Sequence, residues 1–137
     1  MKVALTVWEG RISPVFDVSR EVVVLTVQQG AVIARAVERL GVLGPEQRAA
    51  RLADLGVGTV ICGAISGAPY QELVARGLRV FGFVAGEVEE VVAAFLAGRL
   101  PSPAFSMPGC GGWRHRRRGA GSGGRGRGRR LGRRGTR

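Results

Sequence analysis

The sequence predicts a single mixed α/β domain over residues 1–100, followed by a basic appendage, and three observations carry that expectation. First, β-branched runs open the chain at 3–8 (VALTVW) and 21–28 (EVVVLTVQ), and AVIARAVE at 31–38 alternates apolar with polar residues; both patterns are strand signals. Second, from residue 45 onward the apolar spacing becomes helical and then alternates between helices and short apolar strands, as in parallel β-α units. Third, the charge is segregated. The chain of 137 residues has a formal net charge of +11, yet residues 111–137 alone contain eleven Arg, ten Gly and no Asp or Glu, which leaves ten basic residues against all ten acidic ones in residues 1–110. The body is therefore electrically neutral, and its function has to be argued without the tail.

The elements follow in order. Gln29-Gly30 joins the second and third strands as a tight antiparallel hairpin. In GPEQRAARLADLG (44–56), Pro45 suits a first helical turn, Ala49, Leu52 and Ala53 form an apolar stripe, and Gly56 is a C-terminal stop. VGTVICG (57–63) reads as a buried strand, APYQELVARG (68–77) as a helix with Tyr70, Leu73 and Val74 inward, and LRVFGFV (78–84) as another strand. In GEVEEVVAAFLAGRL (86–100), Val88, Val91, Val92, Phe95 and Leu96 share one helical face, while Glu87, Glu89 and Glu90 crowd the first turn, where the helix dipole favours negative charge. The order is β-β-β-α-β-α-β-α, a mixed five-stranded sheet with helices for both faces.

Pro101 and Pro103 end the periodicity. PSPAFSMPGCGG at 101–112 reads as a linker, and residues 113–137 as a disordered Arg/Gly-rich tail with too little apolar content to offset the entropy of ordering. No apolar run approaches the roughly 18 residues of a membrane span, and the start of the chain lacks a signal-peptide pattern, so the expected location is cytoplasmic. Cys62 lies in an apolar run and Cys110 in a glycine cluster, which is no disulfide framework.

Three blocks carry a resemblance: GRISPVFDVSREVVVLTV (10–27), GVGTVICGAISGAPYQELVARGLRVF (56–81) and EVEEVVAAFLAGRL (87–100). Together they resemble the dinitrogenase iron-molybdenum cofactor biosynthesis family over about residues 1–107, and Ser13-Pro14-Val15-Phe16-Asp17 is the most specific stretch. The resemblance implies a ribonuclease H-like fold and the non-covalent binding, carrying or transfer of a molybdenum- or iron-sulfur-containing cluster, with cofactor-assembly proteins as partners. The tail opening MPGCGG, followed by arginines, also looks like the ends of some family members.

The sharpest local chemistry is the turn Gly63-Ala64-Ile65-Ser66-Gly67-Ala68-Pro69 between a strand and a helix. Gly63, Ser66, Gly67 and Ala68 are candidate cofactor-binding residues, because a helix start presents free N–H groups to an anion and a cluster of this kind is an anion. The plainer reading is a strand-to-helix turn capped by Ser66. Arg11, Ser13, Phe16 and Asp17 complete the candidate set: Arg11 either contacts the anionic cargo or pairs with Asp17 across the loop, and the pair is the preferred reading. Trp8 and Phe16 line an apolar wall or belong to the core, and the core reading is preferred. Cys62 reads as a small buried hydrophobe. Cys110 and His115 are candidate ligands for a soft metal, although two ligands fall short of a closed tetrahedral site.

Enzymatic chemistry finds little support. The chain's one histidine lies in the tail, which excludes a Ser-His-Asp arrangement within the fold, and Glu9, Asp17 and Asp54 show no spacing suited to holding two metals. The expected function is non-catalytic carriage or assembly of an anionic cofactor. The alternative is polyanion or nucleic-acid binding, or docking of an acidic partner, through the tail. On charge alone, the full chain is expected to bind RNA and DNA at low salt with little sequence preference, and a chain ending at residue 111 to lose that affinity. Fluorescence anisotropy across a salt series checks this; a shortened chain that keeps most of the affinity at every salt concentration would make the folded body itself the binder.

Overall fold

Unbroken apolar runs give each central strand two apolar faces, and the fold covers both. The computed structural model describes residues 1–41 and 43–107. In it, β1 (Lys2–Trp8), β2 (Arg11–Ile12), β3 (Glu21–Gln28), β4 (Ala31–Arg39), β5 (Thr59–Ile61) and β6 (Arg79–Phe81) form one six-stranded sheet of order β4-β3-β1-β5-β6, with β2 paired to the end of β1. The pairs β1·β3 and β3·β4 are antiparallel, whereas β1·β5 and β5·β6 are parallel. Helices α1 (Pro45–Asp54) and α2 (Gly67–Ala75) cover the face carrying Ala4, Val22, Val24 and Val60, to which they add Leu52 and Leu73. Helix α3 (Val88–Leu96) covers the opposite face, packing Val88, Val91 and Val92 against Val3, Leu5, Val23 and Leu25. The result is the mixed sheet with helices on both faces expected from the element order, and the three-layer, ribonuclease H-like arrangement that the resemblance implies. No helix among the described residues is long and apolar enough to cross a membrane.

Two hairpins share one chemistry. Gln29 and Gly30 have φ of 53° and 76°, and Glu9 and Gly10 have φ of 52° and 79°; a two-residue turn with both residues left-handed matches the twist of the strands it joins. The second of these turns creates β2, the strand that the five-stranded expectation omits, because two residues are too few to show alternation. In α2, Leu73 is buried and Tyr70 half-buried, but Val74 is exposed. This corrects its inward assignment: one residue on from Leu73 is a rotation of roughly 100° around the helix, which leaves the narrow stripe facing the sheet.

The chain does not leave the body at Pro101. Pro103–Phe105 forms a 3₁₀ turn, the Ala85 N–H donates to the Phe105 carbonyl (2.6 Å) and the Met107 N–H to the Phe83 carbonyl (2.9 Å). The Phe105 ring lies over Gly86, so close that a side chain at 86 would begin 3.0 Å from a ring atom. Residues 101–107, expected as the start of a linker, are thus held by backbone pairing and one aromatic contact. The remainder of that expected linker and the tail at 113–137 lie outside the described residues.

Candidate functional site

The candidate residues gather at the carboxyl edge of the parallel strands, where the loop after β2 meets the turn after β5. The two segments are joined like a short parallel ladder: the Phe16 N–H donates to the Ala64 carbonyl (2.7 Å), and the Ala64 N–H donates to the Pro14 carbonyl (2.8 Å). Gly63 is what lets them approach. A Cβ there would stand 2.4 Å from the carbonyl oxygens of both Ser13 and Pro14, so no side chain fits. The loop is anchored from below by the Phe16 ring, which is fully buried, and from β1 by the Ser13 N–H donating to the Thr6 carbonyl (2.8 Å).

Asp17 then reaches the start of α2. Its carboxylate accepts from the Ser66 N–H (3.2 Å) and from the Ser66 hydroxyl (2.5 Å). Ser66 does hold the N-cap position, with extended backbone and its carbonyl accepting from the Tyr70 N–H, but its hydroxyl makes no cap bond. The expected serine cap is thereby corrected: a carboxylate, which the helix start favours more than a hydroxyl, takes both Ser66 donors. The preferred Arg11–Asp17 pair is corrected for the same reason. Arg11 lies on the β1–β2 hairpin, whose backbone pairs with the residues before α3: the Ile12 N–H donates to the Gly86 carbonyl (3.0 Å) and the Val88 N–H to the Gly10 carbonyl (3.0 Å). Of the candidate set, then, Ser13, Phe16 and Gly63 are buried, Ser66, Gly67 and Ala68 are exposed, Asp17 links the two groups, and Arg11 stands elsewhere. Trp8 is exposed while Phe16 is core, so the two aromatics part ways. Cys110 and His115 lie outside the described residues.

The sequence reading missed Arg48. It precedes the Ala49 stripe of α1 and looks like a solvent-facing residue, but it is buried: its Nη1 donates to the Ser19 carbonyl (2.6 Å), its Nε to the Leu43 carbonyl (3.1 Å), and its guanidinium lies 5.7 Å from the centre of the Phe16 ring. Arg48 therefore clamps the far end of the 13–19 loop. Desolvation lowers its pKa from the ordinary arginine value, and the Asp17 carboxylate opposes part of that effect. Cys62, at the end of β5, is fully buried; burial first and the Asp17 charge second push its thiol far up. Among the described residues no group of three His, Cys, Asp or Glu side chains could hold a metal ion. What the edge does offer an anion is backbone: the N–H groups of exposed Gly67 and Ala68 find no acceptor among the described residues, and Pro69 has none to offer.

Three layers around a mixed sheet, with exposed helix-start donors at the carboxyl edge of the parallel strands, define the class as an open three-layer α/β domain. More narrowly, the model of the dinitrogenase iron-molybdenum cofactor family matches residues 1–98, and the chain belongs to that family. Among solved structures it is similar to the crystal structure of PH0822, with 24% identity, a TM-score of 0.67, and 72% of this chain and 93% of that chain covered. A candidate dinitrogenase from Methanocaldococcus jannaschii is similar at 19% identity and a TM-score of 0.62, covering 72% and 90% of the two chains. The apo form of the orange protein from Desulfovibrio gigas is similar at 24% identity and a TM-score of 0.56, covering 77% and 94%. At these identities the structures establish the fold alone. A comparison with curated proteins found no match.

The two glycines of the turn are expected to behave oppositely on substitution. Gly63→Ala forces its Cβ against two backbone oxygens and should cost about 3 kcal/mol or more, whereas Gly67, whose Cβ would meet nothing within 4 Å, should accept Ala within about 0.5 kcal/mol. Urea denaturation of the two full-length variants checks this; equal stability would mean that the 13–17 loop does not press on Gly63.

Proposed function

We propose that this protein binds and carries, or helps to assemble, an anionic molybdenum- or iron-sulfur-containing cofactor without transforming it, and that it holds this cargo non-covalently where the 13–17 loop meets the 63–68 turn. The observation that carries the reading is the open start of α2: Gly67 and Ala68 are exposed, and nothing stands within 4 Å of the Gly67 side-chain position, so an anion can approach the backbone directly. Membership of the iron-molybdenum cofactor family supports this cargo class. The proposed setting is the cytoplasm, with cofactor-assembly proteins as donor and acceptor.

The division of roles follows from burial. Gly67, Ala68 and the backbone around Ser66 would meet the cargo, while Gly63, Ser13 and Phe16 fix the loop that shapes the site. Arg11, on its separate hairpin, is assigned no contact. Asp17 already engages both Ser66 donors and adds a negative charge beside the site, so binding rests on few donors and stays reversible, as a carrier that must hand over its load requires. A buried, protonated Cys62 gives no covalent thiolate link to the cargo, which supports carriage over permanent ligation.

Tetrathiomolybdate titrated without air into the isotopically labelled full chain is expected to shift amide signals at 63–68 and 13–17. Gly67→Val should weaken that binding about tenfold, or roughly 1.4 kcal/mol, while leaving the melting temperature unchanged. Shifts confined to residues 108–137 and abolished by Cys110→Ser or His115→Ala would place the cargo on the tail and overturn the assignment.

A further inference from the structure

A second concavity lies on the other flank of the 13–18 loop, between the end of β1, that loop and the start of β3. It encloses about 550 Å³, within the range typical of small-molecule sites. Three observations point to a ligand. Trp8, Val15 and Val18 line it and are 61%, 38% and 70% exposed, so an indole and two branched side chains that would ordinarily be covered converge on one opening. Ser19 also lines it, yet is only 3% exposed, and its hydroxyl has no hydrogen-bond partner among the described residues. A buried polar group left unpaired is costly, and rotation of the Ser19 side chain toward the cleft would bring its hydroxyl to an acceptor there. Lastly, Trp8 and Arg20 both line the cleft, each one residue beyond the last β1–β3 pair, Val7 with Glu21. The Arg20 guanidinium has no ion-pair or hydrogen-bond partner among the described residues.

We propose that this cleft binds a small organic anion with a flat aromatic body: the ring lies on Trp8 against Val18, the Ser19 hydroxyl, turned toward the cleft, donates to an acceptor atom, and the anionic group meets Arg20. The remaining charges set the valence. Arg39 is drawn to Glu21 (3.5 Å), and Glu9 stands on the β1–β2 turn at the rim. The four charged side chains of the cleft thus sum to zero, so Arg20 alone is left to attract an anionic group and a polyphosphate is disfavoured. Aromatic carboxylates and nucleoside monophosphates share this chemistry. The proposal does not depend on the cargo assigned to the 63–68 turn, and its readout is separate.

The test uses the full-length Trp113→Phe chain, in which Trp8 is the remaining tryptophan of the two. Benzoate, adenosine monophosphate and inorganic phosphate are titrated while Trp8 emission is followed. A saturable response to benzoate or to adenosine monophosphate, and none to phosphate, is expected; which aromatic probe responds identifies the anionic group. Val18→Glu, at a site too exposed to threaten folding, and Arg20→Ala should each weaken the response about tenfold. Ser19→Ala should weaken binding as well while leaving the free protein as stable or more so, because it removes an unpaired buried hydroxyl. Glu9→Gln should tighten binding. No saturable response to either aromatic probe, a response that phosphate reproduces, or one that survives both Val18→Glu and Arg20→Ala would overturn the proposal, the last by placing the anion on the basic tail.

Discussion

At Gly63 two carbonyl oxygens, those of Ser13 and Pro14, stand where a side chain would begin, and the rest of the edge depends on that approach. Once the loop lies against the turn, Phe16 and Ala64 exchange backbone bonds with their neighbours across the gap, the Phe16 ring drops into the core beside α1, and Asp17 is delivered to the start of α2. The same contact passes on toward β6. The Gly63 carbonyl accepts from the Phe83 N–H (2.8 Å), and the Phe83 carbonyl in turn receives the Met107 N–H. A single residue without a side chain therefore links the carboxyl ends of β1, β5 and β6 with the segment at 101–107, and it does so with ordinary backbone angles, since Gly63 is not among the glycines with positive φ.

The charges at this edge are ordered around that contact. Asp17 faces the positive end of α2, and Arg48 enters from α1 to hold the carbonyl of Ser19 two residues further along. The Asp17 charge offsets part of the Arg48 desolvation without pairing directly, and it adds to the burial that pushes the Cys62 thiol up. Such an edge presents backbone N–H groups and a fixed carboxylate side by side.

Much of the architecture is legible in the residues. Alternating β-branched runs, the Gln29-Gly30 turn, Pro45 with Gly56 around α1, and the valine face of α3 all report local physics that the fold retains. What escapes reading is non-local or too short to repeat. The Asp17–Ser66 link spans 49 residues, so no spacing rule reveals it, and Arg11 looks like the nearer partner because sequence distance stands in for spatial distance. Arg48 carries no sign that carbonyls of Ser19 and Leu43 await it. Gly63 reads as a turn glycine when its actual task is to make room. The docking of 101–107 is hidden by its prolines, which announce a break in periodicity and say nothing of Phe105 covering Gly86.

Native-state hydrogen exchange tests the central claim most directly. If the contact at Gly63 is the constraint from which the edge is built, the amides of Phe16 and Ala64 should exchange as slowly as those of the central strand β1, through global unfolding, while Gly67 and Ala68 a few residues away exchange freely. Rapid exchange at Phe16 and Ala64 with β1 still protected would mean that the loop opens independently of the sheet, and would contradict an edge held together at Gly63.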